Sequence, residues 1–254
     1  GSDVSNSTSS IYNYLESLYN AGSSSDPAPT YVLFVGDHNN LAAWDGETGS
    51  HITDLYYCTY DGGSDYLPEM YFGRLSAEST SELQNALDKI IPYEKYDLPS
   101  GDFLNECVMV AGVDSYGNSE SHGDGQIFYG INEYYNTDHG YTGIYAYYYA
   151  LTSGPYHIMS SNSGGASGDI ISKVSNGVGF ANYTAHCSAD GWADPSFSRS
   201  DISGLGNTNE YPLMIGNCCL SNQFDQNDAF GEMIVYAQDK GAIGYIGGTN
   251  STYW

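Results

Sequence analysis

Two short segments hold the residue types that nucleophilic catalysis needs. Tyr183-Thr184-Ala185-His186-Cys187-Ser188 sets an imidazole just past one apolar run, and Gly216-Asn217-Cys218-Cys219-Leu220 sets two thiols just past the next. A thiol is a weak nucleophile until an imidazole takes its proton or balances the thiolate. If the two runs are neighbouring strands of an open α/β sheet, both groups stand at the strands' carboxyl ends, in one crevice. The same residues also fit a core histidine and buried structural thiols, and spacing alone leaves both readings open. A second constellation is made of hard oxygen donors. Asp61-Gly62-Gly63-Ser64-Asp65-Tyr66-Leu67-Pro68-Glu69 puts three carboxylates on a glycine-containing loop, which suits calcium once a backbone carbonyl joins them, or else forms a solvated acidic turn. No CxxC or HExxH pattern occurs, so zinc is not expected.

The elements that must position these groups follow from apolar patterning. Tyr31–Val35 is a buried-strand run ending at Gly36-Asp37, and residues 54–59 and 69–74 read as further strands. Ser79 to Tyr96 reads as a helix: Ser79 and Glu82 have capping-box spacing, and Leu83, Ala86, Leu87, Ile90 and Ile91 form one stripe that Pro92 should kink or end. A second set starts with a strand at 107–111. It continues with a helix at 126–136, a strand at 144–148, a Ser/Gly-rich loop at 153–167 and a helix at 169–175. Strands at 178–183 and 213–216, a helix at 229–238 and a strand at 242–246 complete it. The first 30 residues are Ser-rich with one helix at 11–19. This rhythm predicts an α/β fold: a largely parallel sheet flanked by helices, with a smaller N-terminal α/β subdomain. Leu98-Pro99-Ser100-Gly101 is the expected boundary, giving subdomains 1–98 (with the calcium-binding loop) and 99–254.

Composition narrows the partners. With 254 residues, 41% of them hydrophobic, the chain can bury a real core. Its 26 tyrosines, each an apolar body with a polar tip, should line strand faces and a substrate cleft. Asp plus Glu outnumber Lys plus Arg by 31 to 6, a net charge of −25, which argues against nucleic acid and anionic lipid and favours calcium and cationic partners. No apolar run is long enough for a membrane span. The five cysteines are an odd number, which argues against a disulfide framework and leaves a thiol free. Cys218 and Cys219 should point apart on extended backbone.

From Tyr31 to Trp254 the chain resembles the gingipain family of bacterial cysteine peptidases, and within it the lysine-specific branch. The resemblance is carried by Tyr-Val-Leu-Phe-Val-Gly-Asp (31–37), Thr-Asp-Leu-Tyr-Tyr (53–57), Leu-Pro-Glu-Met-Tyr (67–71), Phe-Ala-Asn-Tyr-Thr-Ala-His (180–186), Trp-Ala-Asp-Pro (192–195), Ile-Gly-Asn-Cys-Cys (215–219), Gln-Phe-Asp (223–225), Phe-Gly-Glu (230–232), Lys-Gly-Ala (240–242) and Tyr253-Trp254. It implies a caspase-like fold and a secreted or cell-surface endopeptidase that hydrolyses peptide bonds through an acyl-thioester, cutting after Lys or another basic residue. It also implies that Cys219 is the nucleophile rather than Cys218, and His186 its base. Asp114 is the acid that orients His186, with Asp124 as runner-up; the backbone N–H groups of Cys219 and Cys187 form the oxyanion hole. Position 187 is glycine in the family, and a cysteine there would be strained if the loop needs a positive φ. An extra thiol beside Cys219 could also form a reversible disulfide with it.

Thr184, Asn217, Tyr253 and Trp254 correspond to primary-pocket residues. The family's pocket acid lies just beyond Trp254, so the rest of the pocket is expected from a C-terminal remainder of the same precursor, acting as a second chain. Asp61, Asp65, Glu69 and the carbonyl near Leu67 correspond to ligands of a structural calcium that ties the loop to the sheet. The competing readings are a non-catalytic calcium-binding surface module of the same fold and a related hydrolase acting on something other than protein.

Overall fold

The computed structural model describes residues 4–63, 65–114, 119–226 and 228–253. It divides into two compact units, 1–83 and 84–254; the division falls within the second helix, and the expected boundary at 98/99 lies downstream of it.

In the first unit, α1 (Thr8–Asn20) is capped by Ser7, whose hydroxyl accepts the Ser10 N–H. Its Ile11 and Leu15 pack with Phe34, Tyr57, Cys58 and Met70. Strand β1 (Tyr31–Val35) pairs in parallel with β4 (Tyr71–Leu75), and β2 (Trp44–Asp45) with β3 (Ile52–Thr53) forms a small antiparallel pair. Residues 54–59 are not the expected strand: Leu55–Tyr57 is a turn of 3₁₀ helix. The reason is Asp54. Its carboxylate accepts two hydrogen bonds from Arg74, both 2.7 Å, and the same guanidinium donates to the carbonyls of Gly36, Leu41 and Ala42. This buried ion pair holds the chain where extended pairing would carry it away.

Helix α2 runs Thr80–Glu94 and contains Pro92, so the proline neither ends it at once nor lies outside it. Half of the capping box forms: Ser79 accepts the Glu82 N–H, while the Glu82 carboxylate takes the Glu78 N–H. The expected stripe is corrected at its end. Ile91 is exposed and Lys89 is buried, its Nζ donating to the carbonyls of Lys240 and Ile234. Burial pulls the Lys89 amine down to about 7.

The second unit is built on one parallel sheet. Its strands are β5 (Glu106–Ala111), β6 (Gly143–Tyr148), β7 (His157–Ser160), β8 (Phe180–Thr184), β12 (Leu213–Asn217) and β13 (Gly244–Gly247). Their order is β13-β12-β8-β5-β6-β7, with every neighbouring pair parallel. Strand β7 lies inside the segment expected to be loop. Between β8 and β12 a small antiparallel sheet is inserted, β9 (Cys187–Ser188), β10 (Gly191–Trp192) and β11 (Phe197–Ser198), followed by the short helix α5 (Arg199–Ile202). Helices α3 (Ser119–Glu133), α4 (Ala166–Ser175) and α6 (Phe230–Tyr236) complete the unit.

Strand β5 is buried along nearly its whole length, as a central parallel strand must be. Cys107, Met109 and Ala111 face Ile127 and Ile131 of α3. From β5 the chain winds first toward β7 and then returns through β8 toward β13. The order therefore reverses between β5 and β8, the place where open α/β sheets leave a crevice.

Candidate active site

Three adjacent strands end at this crevice. The β5, β8 and β12 register aligns Ala111 with Thr184 and Thr184 with Asn217. The chain then continues from β5 to Asp114, from β8 to His186 and from β12 to Cys219. Because parallel strands share a direction, three side chains far apart in sequence leave the sheet at one edge.

Asp114 is guided there by its own backbone. Gly112 N–H donates to the Thr184 carbonyl at 2.9 Å and Val113 N–H to the Asp194 carbonyl at 2.8 Å. A Cβ on Gly112 would meet the Ala185 Cβ at 2.5 Å and the Tyr183 hydroxyl at 2.7 Å, so only glycine permits this close approach. Asp114 is buried, and its Oδ2 lies 3.2 Å from His186 Nε2. His186 itself is nearly half exposed (46% for its side chain), open to a ligand. Its carbonyl is fixed by the Ala193 N–H and the Tyr183 hydroxyl, both at 3.0 Å. Tyr183 stacks on Trp192, whose indole N–H reaches Tyr245. Asp124, the runner-up, is engaged elsewhere: its carboxylate accepts the N–H groups of Tyr149, Ala150 and Leu151 at 2.7–2.8 Å.

The five cysteines separate cleanly. Cys187 and Cys218 form a disulfide with Cα atoms 5.3 Å apart, a normal span. This corrects two expectations. The chain does contain a disulfide despite its odd cysteine count, and the partner of Cys187 is Cys218, not Cys219. Cys218 is fully buried and carries no thiol in this state. Cys58 and Cys107 are buried thiols pushed up to about 11 and about 12, chiefly by burial. Cys219 is the half-exposed free thiol. It lies in the bend that follows β12, not on extended backbone, and faces Thr252. The Thr252 N–H donates to its sulfur at 3.3 Å, and the Thr252 carbonyl lies 3.7 Å from it.

The backbone around position 187 resolves the steric question. Cys187 is not among the positive-φ residues, so it carries no left-handed strain. The bond from Ala193 N–H to the His186 carbonyl makes Cys187 and Trp192 a non-hydrogen-bonded pair, in which the Cys187 N–H turns away from β10. The left-handed residue of the site is Leu220, at φ 58, held by its N–H donating to the Asn250 carbonyl. Thr252 and the left-handed turn at Leu220 were not foreseen, and no sequence pattern pointed to either: both depend on the packing of residues 248–252 against the Cys219 loop.

Of the expected pocket residues, Thr184 is buried with its hydroxyl near Asn182, and Asn217 donates to the Gln126 side chain at 3.1 Å. Tyr253 is almost wholly exposed, so it walls no pocket among the described residues. Trp254 lies outside the described residues. In the first unit, Asp61, Asp65 and Glu69 each offer a carboxylate oxygen, all within 4.8 Å of one another. Asp65 also accepts the Leu67 N–H, and Glu69 the Tyr60 N–H, which aims both side chains inward.

Comparison with known proteins agrees in family and fold. The sequence profile of Peptidase family C25 matches residues 2–254. Lys-gingipain HG66 of Porphyromonas gingivalis is 40% identical over 253 residues, 99% of this chain and 14% of that protein. Gingipain R2 of the same species (strain ATCC BAA-308 / W83) is 28% identical over 231 residues, 89% of this chain and 29% of that protein. A solved structure described as a protease superimposes with a TM-score of 0.86 at 39% identity, covering 100% of this chain and 52% of that one. The crystal structure of the Arg-specific cysteine proteinase gingipain R gives 0.76 at 25% identity, covering 98% and 54%. The chain thus spans a small part of these relatives' full length and about half of the solved chains. With a profile matched almost end to end and the same architecture in both solved relatives, this chain belongs to peptidase family C25.

Proposed function

We propose that the chain carries the catalytic centre of a secreted cysteine endopeptidase that cuts after lysine or another basic residue. The observation that carries this is the convergence of Asp114, His186 and Cys219 from three neighbouring strand ends. With Nε2 held by Asp114, the Nδ1 of His186 takes the thiol proton. The Cys219 sulfur adds to the scissile carbonyl, and the N–H groups of Cys219 and Cys187 receive the developing oxyanion. His186 then returns the proton to the leaving amine as the thioester forms. Water activated by the same imidazole releases the acid and regenerates the thiol.

The preference for basic residues rests on the Lys-gingipain likeness and on the negative charge of the chain. Thr184, Asn217, Tyr253 and Trp254 are assigned to the primary pocket, and the remainder of a longer precursor, as a second chain, to completing it. An exposed Tyr253 fits a wall that needs such a partner. Secretion or display at the bacterial surface fits the disulfide, which persists in oxidising compartments. No helix among the described residues is long and apolar enough to cross a membrane. Fluorogenic peptides ending in Lys, Arg or Asn separate the readings: cleavage of the Lys or Arg peptide, with the Asn peptide inert, is the expected result. Turnover of none of them under reducing conditions would favour a non-catalytic surface module.

Calcium is assigned to Asp61, Asp65 and Glu69, with the Leu67 carbonyl as a further ligand. Three convergent carboxylates repel one another unless a cation is shared, and their hard oxygens suit calcium. Its role is structural. Saturating calcium should stabilise the first unit by about 3 kcal/mol at a hundredfold excess over the dissociation constant. Thermal unfolding with calcium and with EDTA measures this. Glu69→Gln should remove the difference, and an unfolding temperature indifferent to EDTA would end the assignment.

A further inference from the structure

The β8–β12 ladder stops at the Thr184–Asn217 pair. Beyond it each catalytic loop has its own anchors. The His186 loop is tied to β10 and the Tyr183 hydroxyl. The Cys219 loop is tied to residues 248–252: Leu220 N–H to the Asn250 carbonyl, Asn222 N–H to the Gly248 carbonyl, and Thr252 N–H to the Cys219 sulfur. One covalent link crosses between them. The Cys187–Cys218 disulfide joins the residue after the base to the residue before the nucleophile, closing a separation of 31 residues.

We propose that this disulfide is a positioning device for catalysis, holding the Cys187 N–H at a fixed distance from the Cys219 thiol so that both meet one carbonyl. The proposal rests on the assignment of Cys219 and His186 as the catalytic pair. The geometry favours positioning over general stapling. Each loop already has its own hydrogen-bonded support, and hydrogen bonds from the Trp192 indole to Tyr245 and from the Phe230 and Gly231 N–H groups to the carbonyls of Ala189 and Ser221 run between the two sides; the disulfide adds the covalent constraint on their mutual placement. Cys187 carries the oxyanion donor on its own backbone, and its N–H is turned away from β10. Displacement of such a donor by about 1 Å lowers turnover by one to two orders of magnitude and spares ground-state binding.

The disulfide also makes activity respond to reductant in two directions. A dithiol reductant that attacks Cys187–Cys218 through a mixed disulfide leaves two protein thiols, and the reductant departs as its own cyclic disulfide. Low reductant keeps Cys219 as a thiol and raises activity; high reductant opens the tether and lowers it.

The test compares the wild-type protein, with the precursor remainder present, and its Cys187→Ala/Cys218→Ala variant on a fluorogenic lysyl peptide. The double variant should lose about ten- to a hundredfold in kcat with KM changed less than about twofold. Its Cys219 should still be alkylated by iodoacetamide with a stoichiometry of one, because its Thr252 contact is untouched. Wild type should show a rise and then a fall across a dithiothreitol titration, and the double variant a rise alone. Wild-type kcat in the double variant, or a loss confined to KM, overturns the proposal. If the double variant does not fold, the titration of wild type decides: a monotonic rise overturns the proposal, and a fall with unfolding temperature unchanged supports it. Cys219→Ala in parallel distinguishes the failures. Activity retained there would refute the catalytic assignment itself, whereas activity lost there but kept in the double variant refutes only the tether.

Discussion

Cys219→Ala is expected to abolish peptide hydrolysis, by at least about 10⁵-fold in kcat, because Cys58 and Cys107, the other free thiols, are buried. His186→Ala should lose about 10⁴-fold, since the thiol then has no proton acceptor and the leaving amine no donor. Asp114→Asn should lose about 10²-fold. The amide keeps the contact with Nε2 but cannot balance a charged imidazole. Asp124→Asn is the matching control. Its carboxylate serves the backbone of Tyr149, Ala150 and Leu151, so stability should fall while kcat of the folded fraction stays. Steady-state kinetics on one lysyl peptide checks all four. A His186→Ala enzyme retaining a tenth of wild-type activity would remove the imidazole from the mechanism, and equal kinetic losses at Asp114 and Asp124 would remove the orienting acid.

Arg74→Met is expected to be the most damaging substitution for the fold, costing about 3–5 kcal/mol. Removal of the guanidinium leaves the Asp54 carboxylate buried and unbalanced, and takes a donor away from the carbonyls of Gly36, Leu41 and Ala42. Those carbonyls follow β1 and hold the turn that leads to β2. At about 2–4 °C per kcal/mol for a chain of this size, the unfolding temperature should drop by about 10 °C. Asp54→Leu alone should be comparably harmful. The double variant Arg74→Met/Asp54→Leu should recover part of the loss, because no uncompensated charge remains. Additive losses across this cycle would show that the two side chains are not coupled.

The readable parts of this molecule are those where local chemistry and final position agree. Val108–Ala111 and Met214–Gly216 are continuous apolar runs that became interior strands of the parallel sheet, whereas Tyr31–Val35, also read as a buried strand, pairs only with β4 and leaves Tyr31, Leu33 and Val35 exposed. The helix rhythm around them set the α/β class. Leu55-Tyr56-Tyr57-Cys58 also looks like a strand, being aromatic and apolar, yet the Asp54–Arg74 pair bends it into a turn. That decision lies twenty residues away and leaves no local trace. His157–Ser160 failed in the opposite sense: four residues inside a Ser/Gly-rich stretch became an edge strand because β6 offered an open side.

The candidate site was legible as residue types and, through the gingipain resemblance, as positions. Its geometry was not, because adjacency of β5, β8 and β12 is a property of sheet order. The disulfide was hidden for the same reason. Counting cysteines suggested free thiols, whereas the register that puts Thr184 beside Asn217 also brings Cys187 to Cys218. Lys89 in place of Ile91 on the buried side of α2 shows how far a few carbonyl acceptors can override a hydrophobic stripe.

The sorting of sulfur atoms has a practical consequence. Two thiols lie deep in the core with little tendency to ionise, two sulfurs are spent on each other, and one faces solvent. A small electrophile added to the native protein therefore meets a single competent target. The stoichiometry of its uptake counts working centres directly, with no substrate needed, and gives a scale for specific activity in any preparation.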